Sequence, residues 1–226
     1  TEYVTIPTGS TGHRSYTAIW SAIDYTISYT LGTGAQLDEE NPTTYNVETT
    51  TFTLNNPVRA GYVFTGWTGT DLNSLTATVT IAKGSTGNRT YTANWSVDGY
   101  AISYVLNGGK LSAENPATYT ITSPDITLNN PTREGYKFTG WSGTGISGTG
   151  LSTSVTIPTG STGNRNYEAN WELEVYNLTY HLDGGTQTVA NPSTYTYLSA
   201  PITLYSPVKA GYSFLGWSSD YFDDVQ

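Results

Sequence analysis

The sequence predicts a mainly β chain built of small modules in tandem, and three observations predict it. The first is an internal period of about 75 residues: GSTGHR at 9–14 returns as GSTGNR at 84–89 and 160–165. Trp20, Trp95 and Trp171 follow at the same intervals, and a second block, GYxFxGW, falls at 61–67, 135–141 and 211–217. The second observation is strict alternation of large apolar and small polar residues at 25–31, 100–106 and 176–182, the period of a half-buried strand. The third is that no window carries a helical stripe; residues 112–120 alone are expected to hold one short helical turn. A period this long exceeds that of a solenoid coil and suits a string of small domains.

Each unit opens on the alternating strand, which ends in a glycine-rich turn (Gly32-Thr33-Gly34, Gly108-Gly109, Gly184-Gly185). An Asn-Pro step follows at 41–42, 115–116 and 191–192 and favours a turn or extended backbone over a helix interior. Short strands are predicted at 51–54, 126–128 and 202–204, each ending before Pro57, Pro131 or Pro207. GYxFxGW alternates again, which puts Tyr62 and Phe64 on one face with Trp67 just past Gly66. Trp67, Trp141 and Trp217 are therefore expected in the core, with Tyr62/Phe64, Tyr136/Phe138 and Tyr212/Phe214 beside them. Each unit closes on a strand, the GSTGNR turn and a second strand, which reads most simply as a hairpin with a long turn.

Composition fits this plan. A unit of about 75 residues buries only about 60% of its unfolded surface, so its core must be dense in large side chains. Tyrosine and tryptophan supply them, because all six tryptophans and five tyrosine slots (25, 29, 45, 62 and 91 in the first full unit) recur between units. There is no cysteine, hence no disulfide framework and no Cys-based zinc site. A net charge of −9 argues against sequence-independent nucleic-acid binding, which needs a concentrated basic surface. No apolar run approaches the roughly 20 residues that span a bilayer.

Four residues separate successive units every time: 21–24, 96–99 and 172–175. A constant short connection limits rotation and predicts an elongated rod rather than beads on a flexible string. The expected organisation is a closing hairpin of a preceding repeat at 1–20, repeat modules at 24–95 and 100–171, and an incomplete module at 176–226. With no methionine and a start inside a repeat, the chain reads as a piece of something longer, with any leader or anchor outside it. Three arrangements of the ends are open: residues 1–20 complete the last unit of a second copy, head to tail; the folding unit is permuted; or residues 1–20 rest on their neighbour.

These blocks together resemble the Listeria–Bacteroides repeat family, to which the B-repeat of internalin B belongs. The resemblance lies in YAISYVLNGG at 100–109, PTREGYKFTGW at 131–141 and TGNRNYEANW at 162–171, and it covers nearly the whole chain. Gly32-Thr33-Gly34 departs from LNGG, and residues 218–226 leave the pattern. The resemblance implies β-grasp-like modules in tandem on large secreted or wall-anchored bacterial surface proteins. It also implies stalk, spacer or adhesion roles without enzymatic activity.

The histidines and lysines, residue types that could carry chemistry, do not recur between units. His13 stands where Asn88 and Asn164 stand, and His181 where Thr30 and Val105 stand, so neither histidine recurs. The GSTGNR turn lacks the Lys-Ser/Thr and the following helix of a phosphate loop, and glycine there reads as a backbone requirement. Acidic clusters at 38–40 and 220–224 lack EF-hand spacing. None of Lys83, Lys110, Lys137 and Lys209 recurs as lysine, which argues against a general isopeptide crosslink. Exposed contacts are expected instead from the non-recurring aromatics Tyr3, Tyr197, Tyr205, Tyr221 and Phe222. No catalytic, metal or cofactor-binding residue is expected. The expected partners are neighbouring repeats, a second copy head to tail, and a host-protein or glycan ligand, with no nucleic acid. The function expected is a structural spacer of an extracellular or cell-surface protein; the alternative is a glycan- or host-protein-binding module.

Overall fold

The computed structural model describes residues 2–148 and 150–219. It divides into two compact units, one running to Ser96 and the other from Val97. No described residue is helical. The first unit holds β1 (Tyr25–Thr30), β2 (Thr44–Tyr45), β3 (Phe52–Thr53), β4 (Tyr62–Gly69), β5 (Thr80–Ile81) and β6 (Arg89–Val97). Four of these make one sheet in the order β2-β1-β6-β4, while β3 and β5 pair separately. The central pair is parallel, with Ile27 opposite Arg89 and Thr30 opposite Thr92. A parallel pair requires a crossover, and β2 to β5 are that crossover.

The second unit repeats the plan with β7 (Gly99–Val105), β8 (Thr118–Thr120), β9 (Ile126–Thr127), β10 (Tyr136–Gly143), β11 (Thr156–Ile157) and β12 (Arg165–Leu173). Its sheet order is β10-β12-β7-β8, with Arg165 to Glu168 parallel to Ile102 to Val105. β10 runs antiparallel to β12 and slips between Phe138 and Gly140, the extra residue of a β-bulge. Gly143, near the end of β10, lies against the neighbouring strand, where a Cβ would run into the Asn166 carbonyl oxygen.

The expected closing hairpin does not form. β5 pairs with β3, and β11 with β9, while β6 and β12 enter the large sheets. The GSTGNR turn therefore carries the chain from the small sheet to the large one. The helical turn expected at 112–120 is also absent, since Thr118–Thr120 is strand β8. The residue before a proline is pushed out of the helical region, and Asn115 bonds instead across the loop. Its Nδ2 donates to Asn129 O at 3.0 Å and its Oδ1 accepts from Asn129 N at 2.7 Å.

The two complete modules share one core plan. Ile27, Tyr45, Leu54, Trp67, Val79, Ile81, Tyr91 and Ala93 form the first core; Ile102, Tyr119, Leu128, Trp141, Val155, Ile157, Tyr167 and Ala169 form the second. Trp67 and Trp141 are 0% exposed, as alternation predicted. Phe64 and Phe138 are only half-buried, a correction, and so are Tyr62 and Tyr136. The tyrosines begin β4 and β10, which are edge strands, and each lies beneath the guanidinium of Arg59 or Arg133.

The third repeat is built differently. β13 (Val175–Asn177) pairs with β14 (Thr194–Thr196), with Tyr176 opposite Tyr195. Residues 178–181 are not strand, although the same stretch is strand in the complete modules. In those modules the second half of the opening strand is held by β6 or β12, and among the described residues the third repeat has no such partner. Tyr212 and Phe214 are exposed and Trp217 is half-buried, against the expectation of a core. Residues 2–20 are exposed and carry no strand, yet their turn forms, with Ser10 N donating to Pro7 O at 3.2 Å. The turn is local; the strands need a sheet to join.

Candidate functional site

The GNR of the crossover turn, shared by the two complete modules, meets a recurring tyrosine. Tyr45 Oη donates to the Gly87 carbonyl at 2.6 Å and accepts from Arg89 Nε at 2.9 Å. In the second module Tyr119 bonds Gly163 O and Arg165 Nε at 2.6 and 2.9 Å. Gly87 and Gly163 turn the chain at φ 90° and 86°, in the left-handed region where glycine is favoured. The asparagine between glycine and arginine acts as a strand partner: Asn88 Oδ1 accepts from Thr26 N and Asn164 Oδ1 from Ala101 N. Arg89 also meets Asp71 at 2.8 Å. Every member of the block is thus engaged with its own module, which supports the structural reading of the turn.

The closing strand carries a second set. Asn94 Nδ2 bridges Gly66 O and Thr68 Oγ1, and Asn170 Nδ2 bridges Gly140 O and Ser142 Oγ. Trp95 Nε1 donates to Leu31 O and Trp171 Nε1 to Leu106 O. The core tryptophans are fixed likewise, Trp67 Nε1 on Asn56 Oδ1 and Trp141 Nε1 on Asn130 Oδ1, both at 2.9 Å. Ser206 holds the corresponding place in the third repeat, and there the buried Trp217 Nε1 has no partner among the described residues. Burial, and secondarily Tyr91 or Tyr167 beside them, pushes the phenols of Tyr29 and Tyr104 up to about 12.

One cleft in each complete module lies where these parts meet the surface. In the first it encloses about 560 Å³ between Gln36, Arg59, Tyr62, Phe64 and Trp95. Arg59 stacks 3.8 Å above the Tyr62 ring, Arg133 lies 3.7 Å above Tyr136, and Lys209 Nζ is 4.5 Å from the Tyr212 centroid. A cation over an aromatic face is favourable. Two of these cations also donate to the opening turn: Arg133 to Asn107 O and Lys209 to Asp183 O. The cleft could take a flat or ring-shaped molecule against Trp95, Phe64 and Tyr62; it presents no nucleophile and base in contact.

The remaining candidate residues of the sequence are not brought together. His13 and His181 are exposed and far apart in the sequence, and neither lies in a strand. Asp38, Glu39 and Glu40 are exposed, and the 220–224 cluster, with Tyr221 and Phe222, lies outside the described residues. Among the described residues no three His, Cys, Asp or Glu side chains converge. Tyr3, Tyr197 and Tyr205 are exposed at separate places. What sequence reasoning missed are the asparagines: Asn41, Asn115 and Asn191 each clamp the backbone fourteen positions on. Their recurrence before proline was the available signal.

The model of the Listeria-Bacteroides repeat domain matches residues 25–94, 100–165 and 176–223. The chain belongs to this family, whose repeats occur in bacterial surface proteins. Two curated relatives come from Evansella cellulosilytica. One, described as a Gly-rich membrane protein, is 28% identical over 90% of this chain and 22% of its own length. The other, described as a membrane protein, is 31% identical over 57% of this chain and 18% of its own length. The chain thus spans about a fifth of the length of each. No solved structure matches. No described helix is long and apolar enough to cross a membrane.

Proposed function

We propose that this chain is a non-enzymatic structural segment, a spacer or stalk, of a secreted or wall-anchored bacterial surface protein of the adhesin kind. The observation that carries the reading is where the recurring residues go. The GNR turn, the ANW of the closing strand and the core tryptophans are each engaged within their own module. The modules, taken as 24–95 and 100–171, are read as β-grasp-like from their mixed sheet with a central parallel pair. The constant four-residue spacing supports a stiff, rod-like series.

The second reading, binding of a glycan or host protein, is favoured by the open cleft of Tyr62, Phe64, Trp95, Arg59 and Gln36. Aromatic rings beside polar groups suit the flat face of a sugar. A glycan array followed by tryptophan-fluorescence titration separates the two. The spacer reading expects no saturable change; a saturable one lost in Trp95→Ala would replace it with the binding reading.

A further inference from the structure

We propose that Tyr197 is a key that fixes the third repeat rigidly against the second. Glu174 is the only residue between β12 and β13. Its N–H donates to Gly135 O at 2.9 Å, which carries the β10–β12 ladder one step beyond the Tyr136–Leu173 pair. The chain then turns directly into the β13–β14 pair of the next repeat. Tyr197, in the turn after β14, comes back onto the same glycine, with its Cβ and ring where a Cβ of residue 135 would stand. Gly135 is buried, and its φ of 73° excludes most other residues whatever lies above it. The glycine that a turn needs thus becomes a socket for an aromatic ring.

The surroundings strengthen the joint. Tyr197 and Leu198 wall a cleft of about 500 Å³ whose other side is Lys110, Arg133 and Tyr136 of the second repeat. Tyr176 Oη donates to Glu174 Oε2 at 3.3 Å, and its ring lies 5.2 Å from that of Tyr195. Glu174, the residue between the two strands, and the Tyr197 turn therefore meet at one glycine.

The sequence slot says the same. Position 197 corresponds to Val47 and Ile121, so a large apolar or aromatic side chain stands there in every repeat. Neither Val47 nor Ile121 belongs to the core of its own module. A large apolar residue kept at a turn that its own core does not use points to a partner outside the module, and Tyr197 shows one. The inference stands whether the segment is a spacer or binds a ligand.

The absence of cysteine makes the test direct. Spin labels on Thr156→Cys in β11 and Thr194→Cys in β14, both exposed, report the distance between the two repeats by pulsed dipolar spectroscopy. The expected result is one narrow distance distribution, kept in Tyr197→Phe and lost to a broad one in Tyr197→Ala. Tyr197 is 55% exposed, so its removal leaves the core of the second repeat intact, which an unchanged urea transition checks. A broad distribution in the parent would overturn the rigid joint. A distribution equally narrow in Tyr197→Ala would overturn the role of Tyr197.

Discussion

Replacing Trp141 by alanine tests the packing most severely. The ring is fully buried, with Phe138, Tyr104 and Tyr167 centroids at 5.6, 6.1 and 6.4 Å. Truncating a buried tryptophan costs about 3–5 kcal/mol. The indole N–H also satisfies Asn130 Oδ1, and losing a hydrogen bond of this kind adds about 0.5–1.5 kcal/mol. At about 0.05–0.15 kcal/mol per residue, a module of about 75 residues has only about 4–11 kcal/mol in total. The second module should therefore be largely unfolded or close to it. Urea denaturation followed by near-ultraviolet circular dichroism should show its transition moved to low denaturant, while the transition of the Trp67 module stays. Trp141→Phe should fall between parent and alanine. A Trp141→Ala protein with the parent's midpoint would refute the core assignment.

Further outcomes follow from the same contacts. Asn164→Ala removes the acceptor of Ala101 N and should cost about 0.5–1.5 kcal/mol in the second module, read as a shifted urea midpoint. Tyr29 and Tyr104 hold their protons more tightly when folded, up to about 12 against an ordinary 10. Their contribution to stability is full below pH 10 and is lost as pH rises toward 12, so melting temperature should fall across that window. Spectrophotometric titration should show tyrosinate absorbance near pH 12 that diminishes in Tyr29→Phe and in Tyr104→Phe. One of the three arrangements of the ends seats residues 2–20 of one copy on the face of Tyr180, Leu182, Phe214 and Trp217 in another. Sedimentation velocity should then show association that increases with concentration and disappears when residues 1–20 are deleted.

Much of this was legible in the sequence because repetition separates shared requirements from local ones. The buried tryptophans, the strands and the structural use of the GSTGNR turn all follow from recurrence and alternation. Partner choice was not legible. Alternation fixes which face of a strand is buried but not which strand lies beside it, so β5 and β6 read as a hairpin although they enter different sheets. Tyr62 and Phe64 share a face yet both stay half-buried, because burial also depends on position within the sheet and β4 is an edge. Tyr212 and Phe214 repeat the half-buried Tyr62 and Phe64 but are exposed, because a ring is covered only where the facing strand is present. The cleft was illegible for a related reason: Gln36, the Arg59–Tyr62 segment and Trp95 come from three separate stretches that only the fold brings together.

Small-angle X-ray scattering of the chain tests the spacer reading most directly. A compact globule of 226 residues would have a radius of gyration of roughly 17 Å. A stiff series of modules should give a value well above this, a skewed distance distribution and a linear cross-sectional Guinier region. A radius near the globular value with a symmetric distribution would contradict it.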